Sequence, residues 1–255
     1  MNTVRVKGDC LGGFQSCVDI TQADRFTLWM FDGSQPPVEI KLAIENTRVE
    51  NHLVVVGEKY TLSVVEHLFS ALYGMNHFNV QIEVYGGEIP FLDGSSRDFV
   101  AALEGLETAP CSGIRIDDVV YVNDAHGSLH YTPADGNKLL VEMSLNHPYI
   151  GTQNLAMEIT PASYAKNIAP ARTFVFTEEN DERLKDLPPY GIGITSSNIY
   201  ARSPLRFADE PVRHKLLDLL GDLYVLGRPV YGRIKAKNTS HRLNLCFVRE
   251  LLAAH

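Results

Sequence analysis

In Arg213-His214-Lys215-Leu216-Leu217-Asp218 an imidazole and a carboxylate stand four residues apart in a stretch that reads as helix, so both leave one helical face a turn apart. That spacing suits chelation. Far upstream, Val65-Glu66-His67-Leu68 offers a second imidazole with a carboxylate beside it. His67, His214 and Asp218 together would form a three-ligand zinc set of the His/carboxylate kind. Such a set leaves a fourth position open, and the ion lowers the pKa of a water toward ~7. Glu66 points about 100° away from His67 on an ideal helix. It would therefore reach the site from the side, as a base rather than a chelating partner.

Each of these residues also has a plainer reading. An i,i+4 His/Asp pair is more often a surface electrostatic pair than a ligand set, and Glu66 reads equally as a solvated helix glutamate. Asp222 lies one turn beyond Asp218 and continues its face, where it could orient a ligand or a catalytic histidine. His241, in Asn238-Thr239-Ser240-His241-Arg242, falls between a strand and the last helix. It could offer a charged imidazole to a leaving group, with helix capping as the local alternative. His52, His77, His126, His130 and His255 read as surface or packing residues. Cys10, Cys17, Cys111 and Cys246 form no Cys-x-x-Cys pair and most of them read as buried thiols, which leaves His and carboxylate as the ligand types for a metal.

The elements that must carry these residues follow from periodicity. Short alternating strands are expected over Val4 and Val6, Val18 and Ile20, Phe26 and Leu28, Val38 to Ile44, and Leu53 to Val56, with a turn at 32–37. Apolar positions 62, 65, 68, 69 and 72 then recur at helical spacing up to Gly74, a natural helix stop. A strand over Asn79 to Tyr85 and a helix over Asp98 to Leu106 follow. Pro110-Cys111-Ser112-Gly113 marks a boundary, after which strands begin again at Ile114 to Val122, Ser128 to Tyr131 and Lys138 to Leu145. A polar, proline-containing stretch and an insert near 174–200 precede a helix from Val212 to Leu226, a strand over Val230 to Lys237 and a last helix over Asn244 to Ala254. The expected architecture is α+β. Two similar sheet-plus-helices domains, residues 1–112 and 113–255, would pack face to face with the site at their interface.

The totals fit that picture. With 255 residues, 45% hydrophobic and 21% charged, the chain is long enough for a sizeable core and has ordinary globular composition. No apolar run approaches the ~18 residues of a membrane span, and the start lacks a signal peptide's apolar segment. A cytoplasmic monomer is expected. A net charge of -8 disfavours nucleic acid and anionic lipid. The densest basic cluster, Arg233, Lys235, Lys237 and Arg242, would suit a small anion, or simply form an exposed strand face.

Val65-Glu66-His67-Leu68-Phe69-Ser70-Ala71-Leu72, Glu88-Ile89-Pro90-Phe91-Leu92-Asp93-Gly94-Ser95, Asn146-His147-Pro148, Ala171-Arg172-Thr173-Phe174 and Val212 to Leu223 occur in an order that resembles the UDP-3-O-acyl-N-acetylglucosamine deacetylase family, the zinc amidases of lipid A synthesis. Five ordered motifs over nearly the whole chain outweigh the plain local readings. The resemblance implies that His67, His214 and Asp218 bind Zn2+, that Glu66 is the general base, and that His241 protonates the departing amine with Asp222 in support. It further implies that Thr173 helps polarise the amide carbonyl and that Phe174, Lys215 and Gly193 contact an acylated UDP-amino-sugar substrate. The chain departs from the family pattern at Gly12, where a histidine is usual, at Arg228, and in the 174–200 insert, which keeps only Gly191-Ile192-Gly193 of a glycine-rich form. These departures leave two alternatives beside the leading one: a divergent paralogue acting on another N-acyl amino sugar, and a non-catalytic relative.

Overall fold

The computed structural model describes residues 2–33, 36–185 and 187–255. Ser34 and Gln35 of the expected turn, and Asp186 of the insert, lie outside the described residues. The first large sheet runs in the spatial order Thr3–Asp9, Gln15–Gln22, Val80–Tyr85, Thr27–Phe31, Val38–Glu39, and the second in the order Val120–Asn123, Ser128–Thr132, Val230–Lys237, Leu139–His147, Gly151–Glu158. Numbered within each unit, both orders are 1-2-5-3-4. In both, the fifth strand pairs antiparallel with the second and parallel with the third. Ile114–Arg115 adds a short parallel pairing to the second sheet.

Helices α1 (Glu66–Gly74) and α2 (Arg97–Leu103) flank the fifth strand of the first unit. The second unit carries the short α3 (Pro161–Asn167), then α4 (Glu210–Leu223) and α5 (His241–Ala253) on either side of its own fifth strand. In each unit a small three-stranded sheet lies between the fourth strand and the helix that precedes the fifth, with α3 intervening in the second unit: Thr47–Glu50 with Leu53–Val56 and Leu62–Ser63, and Val175–Phe176 with Ile192–Ile194 and Ile199–Ala201. The shared plan of the two units is thus present in strand order, in strand direction and in the placing of a small sheet ahead of the helix before the fifth strand.

The strands alternate as a one-sided sheet must. Val18, Ile20, Val80, Ile82 and Val84 are buried on one sheet, and Leu139, Val141, Met143, Ile234 and Ala236 on the other, with polar neighbours turned outward. α1 is buried at every position, because it lies between its own sheet and α4. One continuous apolar core joins both units through Leu68, Phe69, Leu72, Leu217, Leu220 and Tyr224. The burial of a single Leu or Phe side chain contributes about 1.5–3 kcal/mol, so the layer that unites the units is also the layer that carries the site.

Several expectations are corrected. The alternation over Val38 to Ile44 ends as a strand at Glu39, and Ile44 begins a 3-10 turn that still buries Ile40 and Ile44. The polar stretch after Leu145 contains the strand Gly151–Glu158 and α3. α3 begins at Pro161 behind a reciprocal Thr160/Ser163 capping box. The last helix starts at His241 rather than Asn244, with the Ser240 side chain accepting from Leu243 N at 3.3 Å. Among the described residues no helix is long and apolar enough to cross a membrane.

Candidate metal centre

α1 delivers Glu66 and His67 from its first turn, and α4 delivers His214, Asp218 and Asp222 from three successive turns of one face. The two helices meet at Gly221, where a Cβ would lie 2.3 Å from the Glu66 carbonyl oxygen. Only glycine permits that approach, and it brings the two ligand-bearing segments together. Donor atoms of His67, His214 and Asp218 all lie within 4.8 Å of one another. The rings of His67 and His214 stand 5.2 Å apart at 79°, and His214 Nε2 is 3.3 Å from Asp218 Oδ1.

Electrostatics puts each group in the state a metal requires. Burial, reinforced by neighbouring His214, pushes His67 down to about 3, and burial lowers His214 as well, so both imidazoles are neutral at neutral pH. Burial works against the Asp218 carboxylate, but the Lys215 ammonium and the His214 and His241 imidazoles outweigh it and hold the group well below the ordinary carboxylate range. Lys215 Nζ donates to Asp218 Oδ2 at 2.9 Å, which leaves Oδ1 toward the histidines.

Two observations fit a dication. His214 Nδ1 lies 3.1 Å from the Ala171 carbonyl oxygen, which fixes Nδ1 as the donor and frees Nε2. Such an outer partner accompanies most metal-ligating histidines. His67 Nδ1 is buried and has no hydrogen-bond partner among the described residues, an orphaned polar atom of the sort that calls for an explanation. Two neutral imidazoles and one ionised carboxylate, closed off by buried walls on one side, make an N/O donor set suited to zinc-like ions.

Around this cluster the remaining sequence-selected residues take distinct places. Glu66 is buried, and Val54 N donates to its Oε2 at 3.3 Å. Burial raises its carboxyl to about 7 against the pull of His241. His241 Nδ1 lies 2.8 Å from Asp222 Oδ2, and its Nε2 faces Asp218 Oδ1 at 3.8 Å. Burial would lower this imidazole, but the Asp222 and Asp218 carboxylates prevail and raise it to about 10. Thr173 is held by its backbone N–H on the Gly94 carbonyl at 2.7 Å, between Ala171, which orients His214, and Phe174, whose ring is 6.1 Å from that histidine. Lys215 lies over the Phe174 ring at 5.5 Å.

From Phe174 an aromatic wall leads outward. Phe174 meets Phe176 at 4.9 Å, and Phe176 stacks on His147 at 4.2 Å with planes 3° apart. Val175 and Phe176 are each 42% exposed. On the other side Phe91 faces His67 at 5.7 Å and Tyr190 faces Phe91 at 5.6 Å. Gly193 pairs with Val175 in the small sheet but is buried, with Leu184 packed over the point where a side chain would begin. The basic cluster stands apart from the metal cluster: Arg233 and Lys235 lie on the outer face of the second sheet, 3.6 and 3.4 Å from Glu142, opposite the buried Ile234 and Ala236. Arg228 is exposed.

Three supporting features were not singled out by motif reading. Arg172, 2% exposed, makes a bidentate pair with fully buried Glu210 at the start of α4 and also bonds Pro204 O, which ties the Ala171–Thr173 segment to the helix that carries the ligands. Arg206 bonds Asp93 and the Pro170 carbonyl, which anchors the Gly94 turn under Thr173. Gly221 is the third. Its sequence signal is a glycine inside a strongly patterned helix, directly before Asp222.

Comparison with known proteins agrees with this geometry. The family model for LpxC, described as UDP-3-O-acyl N-acetylglycosamine deacetylase, matches residues 3–253. A UDP-3-O-acyl-N-acetylglucosamine deacetylase of Psychrobacter cryohalolentis is 35% identical over 237 residues, 88% of this chain and 73% of the relative. One of Hahella chejuensis is 34% identical over 233 residues, covering 86% and 76%, and one of Thioalkalivibrio sulfidiphilus is 33% identical over 234 residues with the same coverage. A match along almost the whole chain, over the helices that bring the two imidazoles and the carboxylate together, means that this chain belongs to the UDP-3-O-acyl N-acetylglycosamine deacetylase family.

Proposed function

We propose that this chain is a zinc-dependent hydrolase that removes the N-acetyl group from a UDP-3-O-acyl-N-acetylglucosamine in lipid A synthesis. The observation that carries the reading is the convergence, at the crossing of α1 and α4, of a metal-ready ligand set with a buried carboxylate on one side and a carboxylate-paired imidazole on the other. His67, His214 and Asp218 would hold the ion. When bound, it supplies Lewis acidity to the amide carbonyl and lowers the pKa of a water toward ~7.

The residues divide the remaining work. Glu66, with a carboxyl raised to about 7, takes the proton of the attacking water as its oxygen adds to the amide carbon. The Thr173 hydroxyl donates to the oxyanion of the tetrahedral species, and the charged His241 ring adds its field. His241 then gives its proton to the amine nitrogen as the C–N bond breaks, so acetate and a free amine leave. Asp222 fixes which nitrogen of His241 faces the reaction: an ionised carboxylate only accepts, so Nδ1 donates to it and Nε2 points to the cluster. Phe174 and the exposed Phe176 and Val175 give the acylated sugar an apolar wall, and the Lys215 ammonium faces its anionic part. A division into residues 1–112 and 113–255, and action as a cytoplasmic monomer, belong to this reading.

Acetate release from UDP-3-O-acyl-N-acetylglucosamine by purified protein, with the metal quantified by mass spectrometry, tests it. Release that disappears on chelation and returns with Zn2+ is expected. Zinc-loaded protein that releases no acetate overturns it. One observation favours a second reading, a paralogue for another N-acyl amino sugar: Gly12 stands where the family has a histidine, and the Phe14 ring fills the space a side chain there would need, 2.5 Å from its Cβ position. Turnover of a different N-acyl amino sugar in preference to the lipid A precursor would decide for it.

A further inference from the structure

The Asp222–His241 pair has a third member. Asn244 lies three residues after His241 on α5, so both side chains leave the same face of the helix toward α4. It is 0% exposed, and its Nδ2 donates to Asp222 Oδ2 at 2.8 Å. That is the oxygen 2.8 Å from His241 Nδ1. One carboxylate oxygen thus accepts two bonds, while the other, Asp222 Oδ1, is buried with no partner among the described residues, as is Asn244 Oδ1.

This arrangement is lopsided in a way that packing alone does not require. A carboxylate can turn about its Cβ–Cγ bond and present either oxygen. With His241 as sole donor, either oxygen of Asp222 would serve, and the imidazole could follow whichever came forward. A second donor converging on the same oxygen position fixes the plane of the carboxylate, since any partial turn would strain two buried bonds at once. The amide must face Asp222 with its nitrogen, because an amide oxygen there would oppose the carboxylate. Its own oxygen gains nothing in return, so the contribution of Asn244 is the single N–H bond.

We propose that Asn244 is a positioning residue for the deacetylation: it locks the Asp222 carboxylate so that the His241 ring holds its Nε2 toward the reacting nitrogen. The proposal rests on the function proposed above. It concerns orientation, so its effect should pass entirely through His241.

The test uses full-length metal-loaded protein with Asn244→Leu, of similar size without the donor, and Asn244→Ser, which keeps a shorter one. Each is made alone and with His241→Ala. In the native background Asn244→Leu should lower kcat about 10- to 100-fold with KM and metal content unchanged, and Asn244→Ser should recover part of the loss. In the His241→Ala background neither should lower kcat further. A readout independent of activity is the downfield Nδ1–H proton resonance of His241, which should broaden or shift in Asn244→Leu. A further loss of kcat in the His241→Ala background, or an unchanged kcat and resonance in the single variant, overturns the proposal. If Asn244→Leu does not fold, Asn244→Ser read in both backgrounds decides by the same criterion. Wild-type protein that turns over no substrate counts against the proposed function instead, and the resonance then judges the positioning separately.

Discussion

Replacing Gly221 with alanine is the sharpest test of how the fold sets the site. The new Cβ would lie 2.3 Å from Glu66 O, 3.1 Å from Glu66 C and 3.2 Å from Glu66 Cα. A carbon and a carbonyl oxygen settle at about 3.3 Å or more, so close to 1 Å must be found, and every atom in the way is backbone. No side chain can swing aside. Overpacking of this kind costs about 1–3 kcal/mol, and in a chain of this size each kcal/mol moves Tm by roughly 2–4 °C, so a loss of about 2–12 °C is expected. The relief available is separation of α1 from α4, and that spreads His67 from His214 and Asp218. Zinc affinity measured against a competing chelator should therefore fall, and kcat/KM should drop on the order of 100-fold, as for other ~1 Å misplacements. Gly105→Ala is the control, since its Cβ would meet only Ala102 O at 3.6 Å and Val4 at 3.7 Å. Wild-type Tm together with wild-type zinc affinity in Gly221→Ala would refute the claim that the helix crossing sets the ligand spacing.

Two further outcomes follow from the charges. The base works deprotonated and the acid works protonated, so kcat/KM should rise with pH through the Glu66 ionisation and fall through that of His241. A bound dication disfavours protons on both, so the rising limb should lie at or below about 7 and the falling limb at or below about 10. A rising limb clearly above 7 would reject Glu66 as the base, whereas Glu66→Gln should lose the limb and at least about 100-fold in rate while retaining zinc. Lys215→Met removes the ammonium that most strongly favours ionised Asp218. The carboxyl then takes up protons at higher pH, so acid should expel the metal at higher pH than from the wild type. Unchanged metal content across an acid titration would rule this out.

The site was more legible in the sequence than the fold around it, and the reason is physical. Ligands on a helix repeat at a fixed spacing, and His214, Asp218 and Asp222 announced one face even before their partner was known. The i,i+4 pattern alone could not separate a ligand pair from a surface pair, because the two differ in burial, and burial depends on what packs against the helix. Here α1 does, and only the ordered motifs hinted that it would. The strand Gly151–Glu158 was hidden for the opposite reason: it is an edge strand with no fully buried position, so its alternation of Leu155 and Met157 with Asn154 and Ala156 is faint. His241 looked like a loop residue because Ser240 begins the helix by capping it, and a cap leaves little apolar signature.

The symmetry of the scaffold explains where this chain can vary. Both units place a small sheet ahead of the helix that precedes the fifth strand, yet the first contributes only Glu66 and His67 to the cluster while the second contributes His214 and Asp218, and through α5 the Asp222-paired histidine. In the proposed function the chemistry depends on the two leading helices meeting at Gly221, where the Glu66 backbone leaves room for glycine alone. The small sheets and the first hairpin touch the site from outside that crossing. At Gly12 the departure from the family pattern has already been absorbed, for the Phe14 ring occupies the space, and Glu88 Oε2 would lie 3.4 Å from an added Cβ. Glu88 in turn accepts from Leu11 N at 2.5 Å, so the hairpin is tied down by the motif that leads to Asp93 and Gly94. A histidine at position 12 would have to displace an aromatic ring rather than fill a gap. The change is therefore a repacked surface on a hairpin that is tied to the Phe91 segment through Asp9, and it leaves the crossing of α1 and α4 untouched.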